Sequence, residues 1–369
     1  MANRSWPQRP NLNSGHAIHT VNRFDHRKRA AKLGFLLLLA LIGIFVIVSA
    51  WFSYSINVPR GGSSEAVLVM VKPGMSIDDI SQLLNEKQLI RDPFAFRLYA
   101  RIGPAHGQLK PGPYLLKPSM STTEIIDYLA AGKLASRQIT IPEGRTVAQI
   151  STQLAADTDF AGQNFATVAT SQPDEKRLLA VLQAPAGSTN PEGMLFPASY
   201  TVLKTDGLEV LAQKMFAKFD SDAVPLLTLK ALNGRKPNPA AQKLTPYQRL
   251  ILASMVEKEA SSREDREGVA AVFYNRLAAG MRLESDPTIN YATGKTVPTA
   301  ADLRIRSPYN TYLNTGLPPT PICNPSLDAM EAVTFAEPSD NLFFVGKAGK
   351  VYFAKTLAEH EANIEKYLK

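Results

Sequence analysis

The chain has 369 residues, 45% of them hydrophobic, enough to bury a sizeable core and to divide into two domains. Its formal charge of +8 is concentrated: residues 1 to 32 hold seven Lys or Arg against one Asp, which leaves only +2 for the other 337 residues. The basicity is local, and no nucleic-acid partner is implied. A lone Cys323 excludes an intramolecular disulfide, and His16, His19, His26, His106 and His360 show no metal-ligand spacing, so no metal and no cofactor is expected.

Residues 1 to 32 are polar and end in Arg27-Lys28-Arg29 and Lys32, a composition that predicts a flexible tail. From Leu33 to Phe52 run 20 uncharged residues, long enough to span ~30 Å of hydrocarbon, with Trp51 and Tyr54 where an interfacial aromatic belt would lie. A cleaved signal peptide is the competing reading, but its apolar core is about 7–15 residues and no convincing Ala-x-Ala site follows. A permanent anchor over residues 33–53 is expected, with the basic tail in the cytoplasm and the rest of the chain outside it.

Residues 54–65 form a Pro-Gly-Gly-Ser-Ser linker. A unit then recurs: an apolar residue, a Pro/Gly turn, a Ser or Thr cap and an amphipathic helix, as at Val71 to Ile80, Leu116 to Ile125 and Ile141 to Ile150. The first two units enclose a helix from Pro93 to Arg101 and a Pro-Gly-Pro turn at 111 to 113. The module from 66 to 135 resembles a LysM domain, which implies glycan binding; a strand-helix module without a ligand is the alternative. Residues 136–369 are expected to form a mixed α/β domain, making the chain α+β. Helical runs are predicted at 147 to 156, 174 to 183 and 207 to 221, a strand after Pro197, and an exposed loop from Asn233 to Lys243.

The stretch from Thr245 to Gly280 organises this domain. Thr245, Pro246 and Gln248 form a capping box with proline at the first helical position, and Leu250 to Val256 are apolar on nearly every side, as in a buried helix. At about 100° per residue Glu259 shares a stripe with Leu252, Met255 and Val256, whereas Glu257 and Lys258 project elsewhere. Desolvation there would raise the pKa of Glu259 toward that of a general acid; a structural glutamate salt-bridged in the core is the alternative. A second helix is predicted from Ser262 to Ala279. It is followed by a polar turn at 281 to 291, loops rich in Tyr, Asn and Thr at 307 to 325, a hairpin at 341 to 354 and a last helix at 357 to 368. Such loops suit a sugar, and equally suit ordinary turns.

Leu252-Ala253-Ser254-Met255-Val256-Glu257-Lys258-Glu259, Val272-Phe273-Tyr274-Asn275-Arg276-Leu277, Ser285-Asp286-Pro287-Thr288, Ser307-Pro308-Tyr309-Asn310-Thr311-Tyr312 and Gly316-Leu317-Pro318-Pro319 together resemble the endolytic murein transglycosylases of the MltG type. Glu192-Gly193 and Phe196-Pro197 share the resemblance, as does the order of anchor, LysM-like module and catalytic domain. It implies a single-pass enzyme of the bacterial inner membrane that cuts peptidoglycan strands internally, leaving 1,6-anhydromuramyl ends and limiting nascent strand length. Peptidoglycan synthases are the partners this would suggest. The family's catalytic glutamate falls on Glu259, while Asn275, Asp286, Thr288, Tyr309, Asn310 and Tyr312 are candidates for binding or positioning substrate. Met255 and Ser285 depart from the family's commoner residues. A lysozyme-like hydrolase pairing Glu259 with Asp286, and a non-catalytic wall-binding scaffold, remain the alternatives.

Overall fold

The computed structural model describes residues 22–104, 109–160 and 162–368, so most of the expected tail lies outside the described residues. The chain forms two compact units, Met1–Leu134 and Ala135–Lys369.

In the first unit, α1 (Asn22–Asn57) starts well before the apolar run. Residues 22–32 are thus helical rather than a flexible tail: Arg, Lys and Ala are good helix formers, and extending an existing helix avoids the cost of nucleation. Its portion Ala31–Asn57 is long and apolar enough to cross a membrane, and Leu33, Phe35, Phe45 and Ile47 on it are exposed.

After it come β1 (Val67–Val71), α2 (Ile77–Glu86), α3 (Pro93–Ile102), β2 (Gly112–Leu116) and α4 (Thr122–Ala131). Ser76 and Ser121 each form a full capping box, with Asp79 and Glu124, so both recurring motifs start helices as expected. The segment read as a Pro-Gly-Pro turn instead opens β2, where Pro113 pairs with Met70 across an antiparallel ladder. In a two-stranded sheet each strand is an edge, and an edge tolerates the missing N–H of proline. Val69, Ile80, Leu84, Phe96, Tyr114 and Ile126 close a small core.

The second unit begins with β3 (Ser136–Thr140), α5 (Val147–Ala155), α6 (Phe165–Thr170) and α7 (Pro173–Val181). The chain then forms β4 (Ser199–Leu203), which pairs antiparallel with β3, and α8 (Leu208–Asp222), α9 (Val224–Leu227) and α10 (Pro239–Lys243). α10 lies inside the stretch expected as an exposed loop. Asn238 caps it and donates to the Ala336 carbonyl at 2.6 Å, so this polar residue is buried by a distant partner.

Next are α11 (Pro246–Glu259), α12 (Arg263–Ala278), α13 (Asp286–Thr293) and α14 (Leu327–Phe335), followed by the hairpin of β5 (Phe343–Lys347) and β6 (Lys350–Ala354), then α15 (Leu357–Tyr367). The polar turn expected at 281 to 291 is helical from Asp286, because Pro287 supplies a helix-compatible φ in the first turn. α11 packs between α12 and α14, buried along Leu250 to Val256.

Gly268 shows how closely the hairpin docks on α12. A Cβ there would collide with the Phe353 ring of β6, so the mid-helix glycine is explained by close approach rather than by backbone conformation. Gly268→Ala should therefore destabilise the second unit by about 1–3 kcal/mol despite the better helix propensity of alanine, measured by urea unfolding. A stabilised variant would show that the hairpin yields freely.

Candidate active site

α11 is held at its start by reciprocal bonds: Thr245 Oγ1 accepts from the Gln248 amide at 3.2 Å and Gln248 Oε1 from the Thr245 amide at 2.9 Å. Buried Arg249 donates to the carbonyls of Leu227, Ala241 and Leu244, converting one charge into three links to neighbouring segments. With its length thus fixed, the helix delivers two glutamates at its last turn.

Glu257 goes into a buried ion pair. Arg266 on α12 reaches it at 3.1 Å, both side chains are under 10% exposed, and the Ser326 amide and hydroxyl, at the start of α14, donate to its other oxygen. The carboxylate is fully engaged and ties α11, α12 and α14 together.

Glu259 faces a cavity of about 700 Å³ also lined by Asp286, Tyr312, Arg276, His360 and the hairpin turn at 347–350. Burial, opposed by a hydrogen bond from Ser285 and reinforced by the charge of Asp286, pushes its pKa up to about 7. Ser285 Oγ donates to Glu259 Oε1 at 2.6 Å. Ser285 is the N-cap residue of α13, yet its side chain makes no capping bond; the hydroxyl that would ordinarily satisfy the helix is turned to the carboxyl instead. Tyr312 donates to Asp286 Oδ1 at 2.7 Å.

The turn carrying Ser285 is braced. Arg276 donates to the carbonyls of Arg282 and Leu283 and pairs with Glu284 at 3.1 Å. Glu284 has φ of 51°, a left-handed conformation that costs a non-glycine residue roughly 1–2 kcal/mol. Thr311 accepts from the Ser285 amide, and the Thr288 hydroxyl donates to the Ser285 carbonyl.

Of the residues singled out in the sequence, Glu259, Asp286 and Tyr312 come together on this cavity, and the others do not line it. Buried Thr288 bonds Thr311 beneath the turn. Asn310 donates to the Leu303 and Ile305 carbonyls and accepts from the Tyr312 amide, which sets the loop bearing Tyr312. Asn275 donates to the Ser339 and Asn341 carbonyls ahead of β5. Tyr309 packs on Tyr291 and shares a proton with Thr320. Ser285 and Arg276 were not singled out. The sequence reads 281 to 291 as a polar turn, and nothing local says where the Ser285 hydroxyl points.

Glu192 is a further buried carboxyl, accepting from the Val147 amide, Asn324 and Tyr291. Burial raises its pKa to about 8 against the first and last of these bonds. Gly193 beside it has φ of 86°, and a Cβ there would lie 2.7 Å from Pro321, so both conformation and packing require glycine.

The model of the YceG-like family matches residues 69–366. The chain belongs to the YceG-like family. Among its YceG-like relatives, the protein named endolytic murein transglycosylase of Streptococcus pneumoniae (serotype 2, strain D39) is 33% identical over 92% of this chain. That of Bacillus subtilis (strain 168) is 33% identical over 83%. The match spans 65% of the pneumococcal protein's length and 86% of the Bacillus protein's. A crystal structure of a yceG-like protein from Listeria monocytogenes, 33% identical, superposes on 81% of this chain and 99% of its own with a TM-score of 0.52.

The two glutamates of this YceG-like chain should respond oppositely to neutralisation. Glu257→Gln leaves the Arg266 guanidinium buried without its carboxylate and should cost roughly 3 kcal/mol of stability, read by chemical denaturation. Unchanged stability would mean that the pair contributes nothing to joining the helices.

Proposed function

We propose that the chain is a membrane-anchored lytic transglycosylase that cuts peptidoglycan strands internally, between N-acetylmuramic acid and N-acetylglucosamine, with Glu259 as its acid. The observation that carries this is a carboxyl group with pKa raised to about 7, aimed into a polar cavity and held there by Ser285. The name shared by the relatives supports the substrate class.

At neutral pH a large fraction of Glu259 carries its proton. It gives that proton to the bridging oxygen as the bond from that oxygen to muramyl C1 breaks. The ionised carboxylate then takes the proton of the muramyl 6-hydroxyl as its oxygen bonds to C1, so the anhydro ring closes and the acid is restored without water. Holding the hydroxyl beside C1 gives it the proximity by which it outcompetes solvent. Asp286 contributes negative charge near the cationic reacting carbon, and Tyr312 fixes Asp286. Thr288, Tyr309, Asn310 and Asn275 act through the loops they hold.

The strand-helix-helix-strand order of β1, α2, α3 and β2 supports a LysM-like module that recruits glycan. The apolar span of α1 behind a basic segment supports an inner-membrane anchor with the catalytic unit outside the cytoplasm, where peptidoglycan synthases are fitting partners and cleavage would limit nascent strands. A reporter fused after Lys369 should be active only outside the cytoplasm; activity inside the cell would reverse the orientation.

Glu259→Gln keeps the size of the side chain and removes the transferable proton, so cleavage should fall ~10²–10⁴-fold. Wild-type cleavage should decline as pH rises through about 7, because the acid form is lost. The stability linkage has the same sign. A folded-state pKa above the ordinary 4.5 favours folding at low pH, and that contribution disappears as pH rises through about 7. The variant should therefore gain stability over wild type at pH 8 and little at pH 4. Mass spectrometry should find glycan ends one water lighter than hydrolysis gives. Hydrated ends, with activity lost in Asp286→Asn, would instead establish a two-carboxylate hydrolase.

A further inference from the structure

A second cavity, of about 1220 Å³, lies in the same unit, and the two share a wall. Lys258 and Pro287 line it, whereas their neighbours Glu259 and Asp286 line the first cavity, so two adjacent residue pairs separate the spaces. A ligand at Glu259 would therefore lie against residues that adjoin this second lining.

The lining has a definite chemical sense. Arg145 exposes its side chain there and has no carboxylate partner among the described residues, while its own carbonyl is clamped by the Asn324 amide and side chain. Lys258 gives its ammonium only a long contact, 3.4 Å, to the Gly144 carbonyl. The third cation, Lys295, is already matched by Asp302 at 2.7 Å, and the one lining carboxyl, Glu192, is buried against N–H and O–H donors. Two cations thus remain for an anionic ligand.

A separate observation concerns Asn290. Its Oδ1 is buried at this lining and has no hydrogen-bond partner among the described residues. A buried acceptor without a donor is costly, and an incoming N–H would satisfy it. Tyr291, Pro142 and Ile322 add flat apolar wall. Carboxylate, amide N–H and short aliphatic groups together describe an acidic peptide.

Taking the reading of Glu259 above as its basis, we infer that this cavity binds the acidic stem peptide carried by the muramic acid next to the cleaved bond. Selection would then act on peptide-bearing strands, and glycan stripped of peptide would lose the contacts to Arg145, Lys258 and Asn290.

The test uses the full chain in detergent and two probes in calorimetry: a GlcNAc-MurNAc disaccharide carrying its stem peptide, and the same disaccharide without it. The peptide-bearing probe should bind roughly tenfold tighter or more, as charge-assisted hydrogen bonds predict. Arg145→Gln, a change at an exposed position confirmed as folded by its melting curve, should remove most of that difference, and Lys258→Gln part of it. Equal affinity of the wild type for the two probes, or a difference that survives in both variants, overturns the inference. If peptide discrimination holds but polymeric peptidoglycan is not cut, the cavity assignment stands and the transglycosylase reading fails.

Discussion

Burial of α11 along almost its whole circumference is the constraint on which the site depends. A helix enclosed from Leu250 to Val256 brings its last turn into surroundings where a carboxylate cannot remain ionised without help. The chain meets that difficulty in two ways within three residues. Glu257 receives a guanidinium, an amide and a hydroxyl, and so serves as a joint between helices. Glu259 receives one hydroxyl and a neighbouring negative charge, and so holds its proton to near neutrality. The same desolvation yields a structural tie in one case and an acid in the other, and the partners decide which.

The partners of Glu259 are delivered by a turn that is itself under tension. Ser285 must leave its capping duty, and Glu284 must adopt a left-handed backbone, for the hydroxyl to meet Glu259. Arg276 stabilises that arrangement with two carbonyl contacts and an ion pair, and it also donates to the Leu342 carbonyl at the foot of the hairpin. One side chain on α12 therefore connects the turn that positions the acid with the hairpin that walls the cavity. Local rules are broken at the turn, and the compensation comes from tertiary contacts, a pattern expected of functional sites.

What could be read in the sequence followed from how local each signal is. Capping boxes at Ser76, Ser121, Thr146 and Thr245 lie within four residues and placed four helix starts. The stripe shared by Glu259, Leu252 and Met255 is helical periodicity, so the exceptional position of this acid was legible without its partners. The bond to Ser285 spans 26 residues and depends on where α13 is docked, which no periodicity reports. α13 itself has eight residues, too few to show a period, and its polar content resembled a turn. Asn238 misled for the same reason: its burial is set by a carbonyl 98 residues away, and composition alone makes it a loop residue.

The choice between closing an anhydro ring and admitting water turns on what a second carboxylate could do. A hydrolase needs one group to give a proton and another to act as base or nucleophile. Asp286 lies on the cavity, but its Oδ1 already accepts a hydrogen bond from the Tyr312 hydroxyl, and its charge raises the pKa of Glu259. On the proposed reading its contribution is electrostatic: its charge adds to the burial that raises the pKa of Glu259, and it would favour positive charge at the carbon during reaction. On the proposed reading, proton return falls to Glu259 itself, which is ionised once it has protonated the leaving oxygen. A base that appears at that moment, beside the carbon just released, can serve whichever hydroxyl is held there. In the proposed reaction, confinement of the sugar's own 6-hydroxyl in that place would make intramolecular closure the faster outcome.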